Sequence, residues 1–312
     1  MHSIRRPLLL TLFSVMATSA VLAQQSPPMQ RPKPIVAWSA QPADPTPWVA
    51  PQKPHWKLSE VLAKHKGQAS WQEDIVSDRD FIARYISMAP GEKTRTHFFA
   101  DDRVFWIVQA GEMKVNIEGQ PSFVASKGFL VQVPFRTSYN IESVGEVPSL
   151  RFEVTGAQAV PLYPLGETPT PVAGKKYVKV SYMGHGSYDE TNKPFLDFNK
   201  DVVEANKRGG PFVKDDKTFA NIIRGRGAPP PPPANLGHFH VGYSEFWLVM
   251  EGEIDYQIEG VPFITAEPGD VVYAPQGRWH RASFGGEGMA TRLAINPRPE
   301  GMHNFQPPPE TR

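Results

Sequence analysis

Three histidines and one glutamate are spaced as a metal site requires. The chain reads Gly237-His238-Phe239-His240, then four residues, then Glu245, and thirty-five residues further on His280. On a β-strand, side chains two apart share a face, so His238 and His240 project together while Phe239 turns away. Glu245 arrives on the next strand after a short turn, and Gly269, Pro275 and Gly277 shape the turn that returns His280 across the sheet. Three neutral imidazole nitrogens and one carboxylate oxygen suit Mn, Fe, Cu, Ni or Zn and leave positions for water or substrate. The donor set alone does not choose among these metals, because affinity rises towards Cu and Zn at nearly any nitrogen-oxygen site.

The elements that must position these donors are short. Apolar, β-branched and aromatic runs at 104–108, 113–117 and 129–133, and again at 246–250, 254–258 and 271–274, are separated by Gly, Pro or Asn and predict an all-β sandwich or barrel. Two helices are predicted outside them, at 58–65 and 197–207, from apolar residues three and four apart. The second β-rich stretch repeats the first at an ungapped offset of 141 residues. His97 falls on His238, Phe105-Trp106 on Phe246-Trp247, Gly111-Glu112 on Gly252-Glu253, Gly128 on Gly269, Pro134 on Pro275 and Arg151 on Arg292. One β-unit has been duplicated.

On these motifs the sequence resembles the cupin superfamily. The pattern histidine-any-histidine, four residues, glutamate, six residues, glycine is met by His238, His240, Glu245 and Gly252. The pattern glycine, five residues, proline-any-glycine, two residues, histidine is met by Gly269, Pro275, Gly277 and His280, with Phe284 where the family has a terminal asparagine. The resemblance implies two tandem cupin barrels, of the jelly-roll or double-stranded β-helix type, with a few short flanking helices. The expected division is a Pro-rich linker and helix over 24–74, cupin 1 over 75–160, a linker with helix over 161–210, cupin 2 over 211–300 and a tail over 301–312. Cupin 1 keeps His97 but has Phe99, Val104 and Tyr139 at the other ligand positions and Arg136 for Gly277, so it is expected to be metal-free. Its expected role is structural, in packing, dimerisation or completing the mouth of the other barrel; a retained ligand cavity lined by Phe99 and Tyr139 is the functional alternative.

Residues shared by the two halves, Trp106 with Trp247 and Arg151 with Arg292, read as framework; those special to the second half are candidates for chemistry. Tyr256 replaces Val115, Tyr273 replaces Gln132, Arg278 replaces Thr137 and Trp279 replaces Ser138. Strand alternation puts Arg278 on the face of His280, where a guanidinium could hold a substrate carboxylate or enolate. The expected catalytic set is therefore Glu245, Arg278 and Tyr256, and the expected substrate pocket is Trp247, Tyr273 and Trp279, an aromatic lining that favours a partly apolar substrate. Arg224 and Arg226 are weaker anion-contact candidates. The resemblance to bicupin dioxygenases of the quercetinase type and to oxalate decarboxylases implies a metal-dependent dioxygenase or decarboxylase acting on a small organic molecule, with Mn or Fe ahead of Cu, Ni or Zn. A non-catalytic module binding a sugar, a small molecule or metal, and a metal-dependent isomerase, are the alternatives.

Composition narrows the setting. Lys and Arg number 33 against 32 Asp and Glu, so no basic face for nucleic acid is implied. Arg5 and Arg6 precede an apolar run that ends at Val21-Leu22-Ala23, which predicts a removed export signal over 1–23 and a periplasmic or secreted protein without membrane association afterwards. An uncleaved anchor is the alternative, the run approaching spanning length. Arg5-Arg6-Pro7-Leu8-Leu9 weakly resembles a twin-arginine signal, which would allow folding around Mn or Fe before export. The chain has no cysteine, so disulfides, thiol catalysis and zinc-thiolate sites are excluded. The 33 prolines gather at 27–54, 161–171, 229–233 and 297–309, where they predict extended connectors. Self-association is left open.

Overall fold

The long strands are apolar almost throughout because both of their faces are covered. Along Val104–Ala110, Phe105 and Ile107 enter one core while Val104, Trp106 and Val108 enter another. Along Glu245–Glu251 the same alternation sends Phe246 and Leu248 one way and Trp247 and Val249 the other. Strand parity therefore decides which residues see a barrel interior and which see the partner barrel.

The structure is a computed structural model and describes residues 35–227 and 237–305. Both barrels lie within one compact unit that begins at Trp38. The first is built on a six-stranded antiparallel sheet, ordered Phe195–Asp197, Phe129–Val133, Val104–Ala110, Ser149–Gly156, Phe81–Met88 and Trp71–Ser77. A three-stranded sheet, Phe123–Ser126, Glu112–Ile117 and Tyr139–Val144, packs on it around Trp106, Met113 and Ile141. The second barrel repeats the plan. Its six-stranded sheet runs His55–Trp56, Val271–Ala274, Glu245–Glu251, Ala290–Asn296, Phe219–Gly225 and Gly209–Lys214. The facing sheet has five strands, Ile264–Ala266, Ile254–Ile258, His280–Phe284, His238–Phe239 and Asn304–Phe305. The fold is the all-β, two-barrel arrangement expected, with, among the described residues, one α-helix at Leu58–Lys64 and one wide helical turn at Asn199–Glu204.

A third core lies between the two six-stranded sheets. Phe81, Tyr85 and Phe152 from the first barrel meet Phe246, Leu248, Val271 and Leu293 from the second, with Phe81 and Phe246 edge to face at 5.8 Å. The hydroxyl of Tyr85 donates to the carbonyl of Gly269 across this junction. Tyr273 belongs here too. Its neighbours Val272 and Ala274 point into the second barrel, so Tyr273 points out of it, with its hydroxyl 3.0 Å from Asp78 Oδ2 and 2.8 Å from Ser244 Oγ. The substrate-pocket expectation for Tyr273 is corrected on this ground.

The connectors are parts of the sheets. The N-terminal segment read as linker supplies His55–Trp56 as an edge strand of the second barrel, and the first barrel's sheet begins at Trp71. The inter-barrel segment supplies Phe195–Asp197 to the first barrel and Pro161–Leu162 as a partner for Phe98–Phe99. The tail supplies Asn304–Phe305, paired with His238–Phe239. The expected export signal at 1–23 lies outside the described residues.

Phe246 is fully buried in the core shared by both barrels. Phe246→Ala is expected to cost about 3–5 kcal/mol, read as a single denaturant transition in which both barrels unfold together at a lower midpoint. A first barrel that unfolds separately at an unchanged midpoint would contradict the shared core.

Candidate metal centre

Strand register brings the four donors together. His238 pairs with His280 in the smaller sheet of the second barrel, and Glu245 begins the facing strand opposite Ala274. The Nε2 atoms of His240, His280 and His238 lie 3.0, 3.2 and 3.8 Å from Glu245 Oε2. The Nε2 atoms of His238 and His280 are 3.2 Å apart. All four donor atoms fall within 4.8 Å of one another. His240, Glu245 and His280 are buried, whereas the His238 side chain keeps 19% exposure, so the group opens on the His238 side.

The outer nitrogens orient the rings. His240 Nδ1 lies 3.3 Å from the carbonyl of Met302, and His280 Nδ1 lies 3.0 Å from that of Arg278. A carbonyl only accepts, so each Nδ1 carries the proton and each Nε2 turns a lone pair towards Glu245. Burial works against the charged form of Glu245; positive charge among the imidazoles, on a ring or on an ion in their midst, is what holds the carboxyl well below its usual range. Burial also lowers His238, aided by the charges of His280 and His240.

That arrangement fits a divalent cation. Lone pairs and a carboxylate oxygen converging in a buried space repel unless something positive lies among them. Ligands about 2.0–2.2 Å from one ion are themselves separated by about 3 Å when adjacent, which is the spacing found for three of the four measured pairs. The expectation for His238, His240, Glu245 and His280 as a converging donor set agrees with this geometry. Which metal they select is a separate matter that the donors do not decide.

The other expected residues divide. Trp247, two residues from Glu245 on the same strand, shares its face, lies in the barrel interior and sets its ring 5.1 Å from that of His280. Tyr256 is fully buried beside Trp247, with ring centroids 5.1 Å apart, and its hydroxyl has no hydrogen-bond partner among the described residues. Burial drives its phenol far above the usual range, so it is a neutral donor and not a base. Arg278 is elsewhere. The strand starts only at His280, so two-residue alternation does not reach back to Arg278. Its guanidinium donates to the carbonyls of Thr46 and Glu259 and lies over Trp48 at 3.8 Å, fastening the N-terminal segment to the turn. The expectation that Arg278 faces the metal site is corrected. Trp279, half-buried, turns away from its neighbour His280 and packs against Gly237, where a Cβ would meet its ring. Gly237 also has φ +69°, so glycine is required there on both counts. Arg224 is occupied by Glu251, at 2.7 and 3.1 Å.

Sequence reasoning missed His303. The pairing of Asn304–Phe305 with His238–Phe239 lays its ring 4.5 Å from that of His238 and 4.8 Å from that of His240, on the open side of the group. Its Nδ1 is 3.1 Å from the Gly301 carbonyl. Phe305 sits 5.1 Å from His238, and Tyr243 stacks on His240 at 4.3 Å. A histidine in the proline-rich tail is the one signal that pointed there, and the proline spacing masked the two-residue strand beside it.

The comparisons with known proteins agree with the fold. Residues 230–296 match the cupin domain model. A search of curated proteins finds no match. Among solved structures, a cupin 2 conserved barrel domain protein from Leptotrichia buccalis superposes with a TM-score of 0.52 at 14% identity, over 78% of this chain and 96% of that one. A variant of Bacillus subtilis oxalate decarboxylase gives 0.51 at 13% identity, over 85% and 81%. A variant of salicylate 1,2-dioxygenase from Pseudoaminobacter salicylatoxidans gives 0.57 at 12% identity, over 78% and 83%. The cupin-domain match falls on the barrel that carries the four donors, and the two-barrel fold is what the chain shares with these structures. At these identities the structural likeness speaks for the fold alone.

In the first barrel the equivalent space is filled. Tyr139 lies 4.4 Å from His97 and stacks on Trp106 at 5.7 Å, and Phe99 is edge-on to His97 at 5.8 Å. Elemental analysis of purified protein is expected to show metal lost in His240→Ala and retained in His97→Ala. Equal loss in both would overturn the assignment of the ion to the second barrel.

Proposed function

We propose that this protein is an exported, metal-dependent dioxygenase or decarboxylase that acts on a small, partly apolar organic acid or phenol at the second barrel. The observation that carries the reading is the pair of Nδ1–carbonyl contacts, which turn the Nε2 atoms of His240 and His280 towards the Glu245 carboxylate. When bound, a divalent metal such as Mn or Fe would supply Lewis-acid polarisation of a substrate oxygen, or redox chemistry with dioxygen.

The protein residues set the rest. As a carboxylate, Glu245 would give the donor set one negative charge to set against a divalent ion. Trp247 walls the interior and keeps water from the His280 side. His303 and Phe305 flank the more exposed His238, so a substrate entering there meets one imidazole and one phenyl ring. With its Nδ1 turned to Gly301, His303 has Nε2 left to accept a hydrogen bond from a substrate hydroxyl. Tyr256 offers a buried neutral hydroxyl, able to donate or accept a hydrogen bond but not to act as a base. Export rests on Arg5, Arg6 and the apolar run that follows them. Among the described residues, no helix is long and apolar enough to cross a membrane.

With metal content confirmed, oxygen uptake and carbon dioxide release are measured against a panel of phenolic, enolisable and carboxylic compounds. Substrate-dependent turnover is expected in the wild type, absent in His240→Ala, and present in His303→Ala with metal retained and KM raised. Silence of the metal-loaded wild type across both readouts would replace catalysis with binding.

A further inference from the structure

The first barrel has lost the ligands but not its opening. A cleft of about 470 Å³ lies on the side of its six-stranded sheet that faces away from the core shared with the second barrel. Strand parity makes it. Along Phe81–Met88, Phe81, Ala83 and Tyr85 enter the shared core while Ile82, Arg84 and Ile86 line the cleft. Along Ser149–Gly156, Leu150, Phe152 and Val154 enter the core while Arg151, Glu153 and Thr155 line it. The volume is of the order found for small-molecule sites, about 300–1,000 Å³.

The charge lining this cleft is unbalanced. Four of its side chains are cationic, Arg84, Lys93, Arg95 and Arg151, and Glu153 is its one carboxylate. Arg151 is spent on Glu153 at 2.8 Å, and Arg84 on the neighbouring Asp74 at 3.0 Å. Lys93 and Arg95 have no carboxylate partner among the described residues; Arg95 donates only to the carbonyl of Thr168. The remaining walls include Phe99, Tyr163 and Ile86. His97 at the cleft has its Nδ1 2.8 Å from the Arg95 carbonyl, and its other nitrogen has no hydrogen-bond partner among the described residues. Two cations without a carboxylate partner, together with aromatic and aliphatic walls in the same cleft, match a ligand that carries both negative charge and apolar surface.

We infer that this cleft binds a small organic anion, a carboxylate on an apolar or aromatic body, at a site separate from the metal centre. Lys93 and Arg95 hold the carboxylate, and Phe99 and Tyr163 hold the body. The duplication has thus been put to a second use. Phe99, Val104 and Tyr139 occupy the ligand positions at the centre of the barrel, while its mouth is open and lined by cationic side chains.

The test is calorimetric titration of the full chain with benzoate, and with uncharged benzamide as control. Lys93 and Arg95 are exposed, so Lys93→Ala with Arg95→Ala leaves both cores intact. A saturable benzoate site is expected that persists in His240→Ala and weakens by at least about tenfold in the double alanine variant. It should recover in Lys93→Arg with Arg95→Lys, and benzamide should not occupy it. Absence of saturable benzoate binding, equal affinity in the double alanine variant, or loss in His240→Ala alone would each overturn the assignment.

Discussion

Acceptors crowded together in a protein interior need a cation among them. In the second barrel a carboxylate oxygen and the imidazole nitrogens around it converge within 4.8 Å. An uncompensated buried carboxylate costs several kcal/mol, and lone pairs aimed at it add to that cost. The surrounding structure holds the geometry in place. Carbonyls of Met302 and Arg278 set two ring orientations, the pairing of His238 with His280 sets their separation, and Trp247 closes the interior behind them. Protonation of His238 would relieve the crowding only by charging a ring whose burial already opposes charge. A divalent ion relieves it directly.

The turn that delivers His280 is secured from outside the barrel. Gly277 has φ +82°, and a Cβ there would meet Pro42 at 2.6 Å. Gln41 donates to the Gly277 carbonyl, Thr46 to that of Gln276, and Trp48 to that of Tyr273. The proline-rich N-terminal segment is therefore a strap across the turn, and Arg278 belongs to the fastening. From the other side, Tyr273 reaches Asp78 of the first barrel, while its counterpart Gln132 reaches back to the carbonyl of Phe212. The positions at which the duplicated halves differ thus serve the junction between barrels as well as the site. A first barrel without the metal-ligand set still covers one face of the sheet on which Glu245 stands.

The donor set, the duplication and the all-β class were legible because they rest on residue identity at fixed spacing, which local conformation barely disturbs. What was not legible depended on where each strand begins. Arg278 was misplaced because alternation was extended into a turn, and Tyr273 because the parity of its strand relative to Glu245 is set by pairing with Ala274. The linkers and the tail were read from proline as connectors, yet each contributes a strand of two or three residues. Strands that short carry no periodicity. His303 was lost with them, although its position over His238 and His240 follows from a single pairing.

X-ray absorption at the edge of the metal in purified full-length protein tests the central claim most directly, because it reports the atoms around the ion without regard to activity. The account predicts multiple-scattering signatures of about three imidazoles at roughly 2.0–2.2 Å together with oxygen ligands. A shell of oxygens alone, with no imidazole scattering, would contradict it.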